Sequence, residues 1–161
     1  MNRVTFSVAI LACVTAFAPA PLPRSPRLAD REVSLRTLQG KWRIVSLRRA
    51  HQGGTSAVPY FRYAEVTIDG NQWAFDRPFL LRGPYGEDEF PSLVIGIDPT
   101  RSPAAIDFSD PNGEQGRLAL GIVRRDGDRA EVVFAFGDRA RAASFSGPPV
   151  GHFVLKLRRQ R

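Results

Sequence analysis

The residues that could carry nucleophilic, acid–base or metal chemistry are few, and their spacing matches no known catalytic pattern. His51 and His152 are the only histidines, and the chain has no His-x-x-x-His spacing for a metal ion. Serine, histidine and aspartate all occur, but the Gly-x-Ser-x-Gly turn that would expose a nucleophilic serine is missing. We therefore expect a protein that is not an enzyme, with no catalytic residues, no metal site and no cofactor.

Two acidic segments are the remaining candidates for cation binding. Residues 86–89 (GEDE) are predicted to form an acidic surface loop. Residues 107–114 (DFSDPNGE) look like a calcium-binding loop, but the alignment places Phe108 and Ala119 where oxygen ligands are required. Neither segment is by itself a metal site.

The chain is strongly basic, but the distribution of its charge does not predict a nucleic-acid-binding surface. The formal net charge is +7, and clustered basic residues would favour binding to phosphates. Lys41 and Lys156 are the only lysines among 23 basic residues, so the other 21 are arginines, scattered singly or in pairs. Such a composition is typical of high-GC coding bias. We expect no specific nucleic-acid partner.

The N-terminal residues have the pattern of a secretory signal peptide. A basic start at 1–3 is followed by the apolar segment 4–18 and by small residues suited to cleavage. The apolar segment is shorter than the ~20 residues needed to span a bilayer. We expect residues 1–18 to be the signal peptide and residues 19–33, rich in Pro and Arg, to be a flexible leader. The protein would then be periplasmic or extracellular.

Cys13 is the only cysteine, and it bears on redox chemistry and on membrane attachment. If it leaves with the signal peptide, the mature protein has neither a thiol nor a disulfide. The segment Ile10–Cys13 also resembles a lipoprotein cleavage box, whose cysteine would carry lipid. Membrane association through an uncleaved signal or a lipidated Cys13 therefore stays open as the alternative.

The rest of the chain is long enough for one domain and shows the period-two apolar pattern of β-strands. A brief helix is predicted just before Gly40. In the segment 41–49, apolar residues fall on both faces, which indicates either a strand buried on both sides or a bulge. Further strands are predicted where apolar residues alternate between turn residues: Ala64, Val66 and Ile68; Trp73 and Phe75; residues 79–82, 93–98 and 104–109.

The C-terminal third gives the clearest hairpin. Leu118, Leu120 and Ile122 share one face of a strand, an Asp126-Gly127 turn follows, and the next strand has Ala130, Val132, Phe134 and Phe136 on one face. A last strand has Phe153, Leu155 and Leu157 on one side. About eight or nine strands at this spacing are typical of an all-β sandwich or barrel, and we expect a monomer.

The segment LQGKWRIVS (38–46) resembles the Gly-x-Trp opening of lipocalin-type barrels. Together with GIDPTRSPAAIDFS (96–109), LGIVRRDGDRAEVVFAF (120–136) and HFVLKLRR (152–159), it is similar to a family of small secreted bacterial proteins, abundant in planctomycetes, of unknown function. The run Arg141–Ser146 lacks a proline usual in that family. The resemblance implies that residues 34–161 form a single antiparallel lipocalin-like (calycin-like) barrel of about eight strands with a short N-terminal helix.

The residue types of the Gly-x-Trp motif predict structural roles at one end of the barrel. Gly40 would allow the turn from helix to strand, and Trp42 would plug the barrel. In lipocalins a basic residue of the last strand packs across this tryptophan, so Lys156 or Arg158 is expected to do so here.

A barrel of about eight strands is either filled by its own side chains or holds one small ligand. Trp73, Phe75, Tyr60 and Phe134 are the candidate ligand-binding residues, and the Gly-rich segment 50–61 is a candidate lid loop. We expect an exported binding protein for a small apolar or amphipathic ligand. The alternative is a filled barrel that contacts an envelope protein through loops such as 137–150.

Overall fold

The computed structural model describes residues 33–58, 64–83, 86–114 and 116–161, and for residues 78–83 and 86–90 it describes the backbone alone. The predicted signal peptide, with Cys13, and the candidate Tyr60 lie outside these ranges. The elements are α1 (Leu35–Leu38), β1 (Gly40–His51), β2 (Gly54–Ala57), β3 (Glu65–Asp69), β4 (Gln72–Gly83), β5 (Gly86–Asp98), β6 (Ala104–Ser109), β7 (Arg117–Asp126), β8 (Arg129–Phe136) and β9 (Phe153–Arg159). Among these residues no helix has the length and apolarity required to cross a bilayer.

Eight of the nine described strands form one closed antiparallel barrel. Strands β1 and β3 to β9 each pair with the next of these strands along the chain, and β9 returns to pair with β1. The short β2 is an additional strand that pairs with the end of β1 at Arg48–His51. The predicted fold class, an all-β barrel of about eight strands with one short helix, is confirmed.

Strand β1 contains a bulge, which resolves the two-sided apolar pattern of residues 41–49. Its register with β9 shifts between Ile44 and Ser46, so Val45 is the inserted residue. Val45 is 54% exposed, whereas Ile44 and Leu47 are buried. The insertion reverses the alternation and lets both Ile44 and Leu47 face the interior.

Two predicted loops are partly strand. The acidic segment 86–89 lies in β5, paired with residues 80–83 of β4, so the prediction of an acidic surface loop there was wrong. Pairing supplies backbone partners that outweigh the low β-propensity of Asp, Glu and Gly. The predicted lid loop at 50–61 likewise contains the end of β1 and all of β2.

The two ends of the barrel are built differently. At one end β1 begins and β9 finishes, with Trp42 opposite Arg159, and at the other end Arg49 lies opposite Phe153. We call the first the helix end, because α1 immediately precedes β1 there, and the second the loop end. Helix α1 has a capping box, in which the Thr37 N–H donates to Ser34 Oγ and the Ser34 N–H donates to Thr37 Oγ1.

Gly40 makes the turn from α1 into β1 at the helix end. Its φ of +110° is a conformation that other residues rarely adopt, and a Cβ atom there would lie 3.3 Å from Arg159 Nη2. The expected structural role of Gly40 therefore has two causes, the backbone angle and the close approach of an arginine.

Arg159, and not Lys156 or Arg158, packs across Trp42. The Arg159 guanidinium lies 5.5 Å from the centre of a Trp42 ring and also donates a hydrogen bond to the Gln39 carbonyl. Lys156 and Arg158 are exposed on the outer face of β9. The sequence-based expectation was wrong by one residue, because successive side chains of a strand point to opposite faces and Leu155 and Leu157 already face inward.

The apolar outer face of β7 is covered by the connection between β8 and β9. Ile122 packs outside the barrel with Val133 and Val154, beneath Ala142 and Phe145. The inner face of β7 instead carries Ala119, Gly121 and Val123. We call residues 137–152 the outer loop, since they lie against the outside of the sheet.

The outer loop is held to the barrel by a half-buried arginine. One Arg141 nitrogen, Nη1, donates to the Ile106 carbonyl at 3.0 Å and to the Gly121 carbonyl, and Nη2 donates to Asp107 Oδ1 at 2.5 Å. These partners lie on the neighbouring strands β6 and β7. Charge-assisted hydrogen bonds of this kind are stronger than neutral ones, so Arg141 joins the loop to the middle of the sheet.

Candidate functional site

A small apolar cavity lies inside the barrel on the loop-end side of Trp42. Its volume is about 20 Å³, which is room for about one water molecule. The surface that faces it is entirely apolar. The residues that line it are Ile44, Leu47, Trp73, Phe75, Leu93, Phe108, Phe134, Phe136 and Leu155.

A continuous group of aromatic rings surrounds this cavity. The Trp73 ring lies 5.5 Å from Phe108 at a near-perpendicular angle of 77°, and 6.5 Å from Phe75. Phe134 connects Phe108 to the rings further towards the loop end, Phe136 and Phe153. The rings meet because alternate residues of β4, β6, β8 and β9 all face inward in the closed barrel.

The indole N–H of Trp73 has no hydrogen-bond partner among the described residues. Trp73 is only 1% exposed, so its Nε1 atom is also shielded from water. A buried polar group without a partner costs about 1–3 kcal/mol. The void itself costs far less, ~0.5 kcal/mol at the usual cost of cavity volume. The unpaired N–H is therefore the more costly feature of this site.

The loop-end side of the aromatic group is the less completely buried side. Phe75, Phe136 and Phe153 are only partly buried, although all three pack against the core. The Arg49 guanidinium lies 5.7 Å from the centre of the Phe153 ring. The interior therefore changes from a fully buried core near Trp42 to partly exposed aromatic rings at the loop end.

The structure brings together three of the four candidate ligand-binding residues. Trp73, Phe75 and Phe134 line the same cavity, and Tyr60 lies outside the described residues. Sequence reasoning did not include Phe108 and Phe136 among the site residues. The period-two pattern does place Phe136 on the same face as Phe134, but only the barrel register brings Phe108 next to Trp73.

Neither histidine lines the interior cavity. His51 is exposed. His152 is buried within the outer loop, its Nδ1 3.1 Å from the Pro149 carbonyl and its Nε2 2.9 Å from the Ala140 carbonyl. Across residues 33–58, 64–77, 91–114 and 116–161, no three His, Cys, Asp or Glu side chains converge as metal ligands would.

One carboxyl group has a shifted pKa, for a local reason. The Thr100 hydroxyl and backbone N–H donate to Asp98 Oδ1, at 2.5 and 3.0 Å, and lower the pKa of Asp98 below its ordinary value of 3.8. Arg101, at 3.3 Å from Oδ2, acts in the same direction. Asp98 is the exposed last residue of β5, so this shift belongs to the turn that follows and not to a site.

A larger groove lies outside the barrel and is predominantly basic. Its volume is about 590 Å³, and its walls combine five cationic residues with two acidic residues and the bulge residue Val45. Arg124 and Lys156 both approach Glu131, Arg124 Nε at 2.9 Å and Lys156 Nζ at 3.9 Å. The charged residues that line the groove are Arg124, Arg125, Arg129, Lys156, Arg158, Asp126 and Glu131.

The outer loop is less available for docking than its composition indicates. Its apolar residue Phe145 packs on the barrel, and the Arg124 guanidinium lies 4.4 Å from the centre of its ring. The basic residue Arg141 is fully engaged with β6 and β7. The groove therefore offers a docking partner more exposed surface than the outer loop does.

Comparison of the chain with protein-family models, with curated proteins and with solved structures gave no match. The resemblance to the family of secreted barrels therefore stays a prediction. The protein belongs to a class of architecture, the closed eight-stranded antiparallel barrel, and has a small aromatic cavity inside it.

Proposed function

We propose that this protein is an exported, non-enzymatic, lipocalin-like binding protein that takes a small apolar or amphipathic ligand in the loop-end half of its barrel. The observation that carries the proposal is the wholly apolar side-chain wall of the interior cavity, formed largely by aromatic rings. Binding sites for small molecules are lined mostly by such side chains, with a few polar groups that orient the ligand. Export is supported by the signal-like pattern of residues 1–18.

The partly buried rings give a physical reason for binding at this end. Phe75 and Phe136 line the cavity and still expose part of their surface. A ligand that covers them removes apolar surface from water, at a gain of about 25 cal/mol per Å². Because the empty cavity is only about 20 Å³, the ligand must displace one of these rings when it enters.

A protein-interaction module is the second candidate. It is favoured by the nearly filled interior and by the outer groove, which at about 590 Å³ is much larger than the inner cavity. Among its cations, Arg129 and Arg158 form no ion pair with a carboxylate in the described residues. Such a groove would suit an acidic surface of an envelope protein.

The experiment that separates these candidates combines one interior and one exterior variant. The mature protein is purified from an exporting host and examined by native mass spectrometry for a copurifying small molecule, then titrated with dodecanoate and with the fluorescent dye 1-aminoanthracene. We expect saturable dye binding that Phe136→Leu weakens roughly 3–10-fold, because a ring contact is lost. Arg158→Gln in the outer groove should leave the dye affinity unchanged.

A chain that carries no small molecule and binds neither probe would overturn the proposed function. Dye binding that falls with Arg158→Gln and not with Phe136→Leu would move the site to the outer groove, and would overturn it equally.

A further inference from the structure

We propose that the outside of the barrel carries a second site, at which three neighbouring arginines bind an anion that has two adjacent phosphate groups. The three residues are Arg43, Arg158 and Arg129, and we call them the arginine row. They are brought together by the strand register, since Arg158 on β9 lies directly opposite both Arg43 on β1 and Arg129 on β8. This site is separate from the interior cavity and does not depend on the ligand proposed there.

The arginine row concentrates positive charge on one exposed face of the sheet. All three side chains are exposed. Directly opposed residues of antiparallel strands have Cβ atoms about 5 Å apart, so the row spans about 10 Å. Like charges in direct opposition destabilise a sheet. An anion that bridges these side chains would relieve a repulsion that the register imposes.

The carboxylates of the chain leave most of this charge uncompensated. Arg129 and Arg158 form no ion pair in the described part of the chain. Arg43 Nη2 lies 3.7 Å from Glu65 Oε1, which is longer than a hydrogen bond, and the same oxygen already accepts from the Gln160 side chain. The guanidinium N–H groups of the row can therefore donate to a ligand.

The acidic neighbours of the row indicate where along it the anion would lie. Asp126 on β7 is opposite Arg129 at one edge, and Glu65 on β3 is opposite Arg43 at the other. A carboxylate repels a bound anion, so both edges are less favourable than the centre. The anion is therefore expected over Arg158, where cationic residues lie on both sides.

Arg158 also lines two grooves that meet at the row. One is the outer groove of about 590 Å³, and the other has a volume of about 360 Å³. Sites for small organic molecules have volumes of roughly 300–1,000 Å³. The organic part of a diphosphate ester can therefore extend from the row into the outer groove, along the exposed bulge residue Val45.

Phosphate suits the row better than carboxylate does. A guanidinium presents its N–H groups as a planar fork, which pairs two by two with phosphate oxygens. Two linked phosphates place several charges and many acceptor oxygens within the length of the row. Carboxylates on an acidic protein surface carry one charge each, and crowding several of them into about 10 Å brings repulsion among them.

The test is isothermal titration calorimetry on the mature protein with inorganic diphosphate. Orthophosphate, citrate and hexaglutamate are the comparison anions, in magnesium-free buffer at constant ionic strength, because a basic chain attracts any anion weakly. We expect diphosphate to bind roughly 10-fold more tightly than each of them. Arg158→Gln should weaken diphosphate binding roughly 3–10-fold, since it removes charge-assisted hydrogen bonds at an exposed position.

Arg117→Gln is the matched control variant. It removes the same charge from an exposed arginine at the start of β7, on the loop-end side of the barrel and far from the row. Its affinity for diphosphate should equal that of the wild type. A parallel titration with ADP distinguishes two sources of the same chemistry: tighter binding of ADP identifies a diphosphate ester, and tighter binding of diphosphate identifies the inorganic ion.

A second measurement locates the site without a variant. In the ¹⁵N-labelled protein, diphosphate should shift the backbone amide signals of Arg129 and Arg158. The indole N–H signals of Trp42 and Trp73, which are buried inside the barrel, should not move. Shifts of the indole signals without shifts of the two amides would place the anion in the interior and overturn the proposal.

The remaining outcomes are equally decisive. Equal weakening by Arg158→Gln and Arg117→Gln would mean attraction by net charge alone, and the arginine row would not be a site. Hexaglutamate or citrate that binds as tightly as diphosphate would overturn the phosphate assignment, and hexaglutamate would then favour an acidic protein partner. Affinity for 1-aminoanthracene is measured separately, so failure of this site leaves the proposed interior binding intact, and failure of interior binding leaves this site intact.

Discussion

Two tryptophans face the interior of the same barrel, and only one of them has a hydrogen-bond partner for its indole N–H among the described residues. Trp42 at the helix end is fully buried, donates to the Leu38 carbonyl at 2.7 Å and is covered by the Arg159 guanidinium. Trp73, towards the loop end, is equally buried, but its indole N–H has no partner in the described part of the chain and it borders a cavity.

The contrast extends to the surroundings of each residue. Near Trp42, the Gln39 side chain joins α1 to the β3–β4 turn, accepting from the Gly70 N–H and donating to the Gly70 and Leu35 carbonyls. Near Trp73, the neighbouring contacts are ring against ring, and the outermost rings are partly exposed. The helix end is therefore tightly packed and hydrogen-bonded, whereas the loop end has a cavity and partly exposed rings, and it is there that we expect a ligand to bind.

The largest expected effect separates the two tryptophans directly. Trp42→Phe should lower the free energy of unfolding by about 2–4 kcal/mol, because it removes packing and leaves the Leu38 carbonyl without its donor. Trp73→Phe should cost about 1 kcal/mol, since the N–H that it removes is unpaired in the native protein. Urea unfolding followed by circular dichroism measures both, and equal losses would contradict the contrast.

The next effect compares neighbouring arginines of β9. Arg159→Gln should lower stability by about 1–2 kcal/mol through loss of the cation–π contact and of the bond to the Gln39 carbonyl. Arg158→Gln, one residue earlier and exposed, should change stability by less than about 0.5 kcal/mol. Thermal unfolding of the two variants side by side decides this, and a larger effect of Arg158→Gln would reverse the assignment of the inward-facing residue.

The smallest effect concerns pH and the turn after β5. NMR titration should give Asp98 a pKa below 3.8, and Thr100→Val should raise it, because the donating hydroxyl is lost. A lowered pKa in the folded state contributes stability above pH 3.8 that is lost as the pH falls through the folded value. Thr67→Val, exposed on β3, should leave the titration of Asp98 unchanged.

Local patterns in the sequence predicted the fold well where each strand could be interpreted alone. The alternation of Ala64, Val66 and Ile68, and the hairpin turns after Asp69 and Asp126, are present as expected. The acidic segment 86–89 was misassigned because its composition favours a loop, and only its pairing with β4 makes it a strand.

The candidate site was predicted in part. Trp73, Phe75 and Phe134 were chosen for their ring size and inward alternation, and they do line one cavity. Phe108 was missed as a site residue because its nearness to Trp73 depends on how β4, β5 and β6 align. The unpaired N–H could not be predicted from sequence, since a missing partner is a property of the whole surroundings.

The sequence by itself determined the class of architecture, because period-two apolar patterns and turn residues act over a few neighbouring positions. Only the tertiary structure decided which residues meet. Closure of β9 onto β1 brings Arg159 to the Gln39 carbonyl across 120 residues of chain, and the same closure sets which rings surround the cavity. Such contacts depend on the register between distant strands, and a shift of one residue exchanges every inward side chain for an outward one.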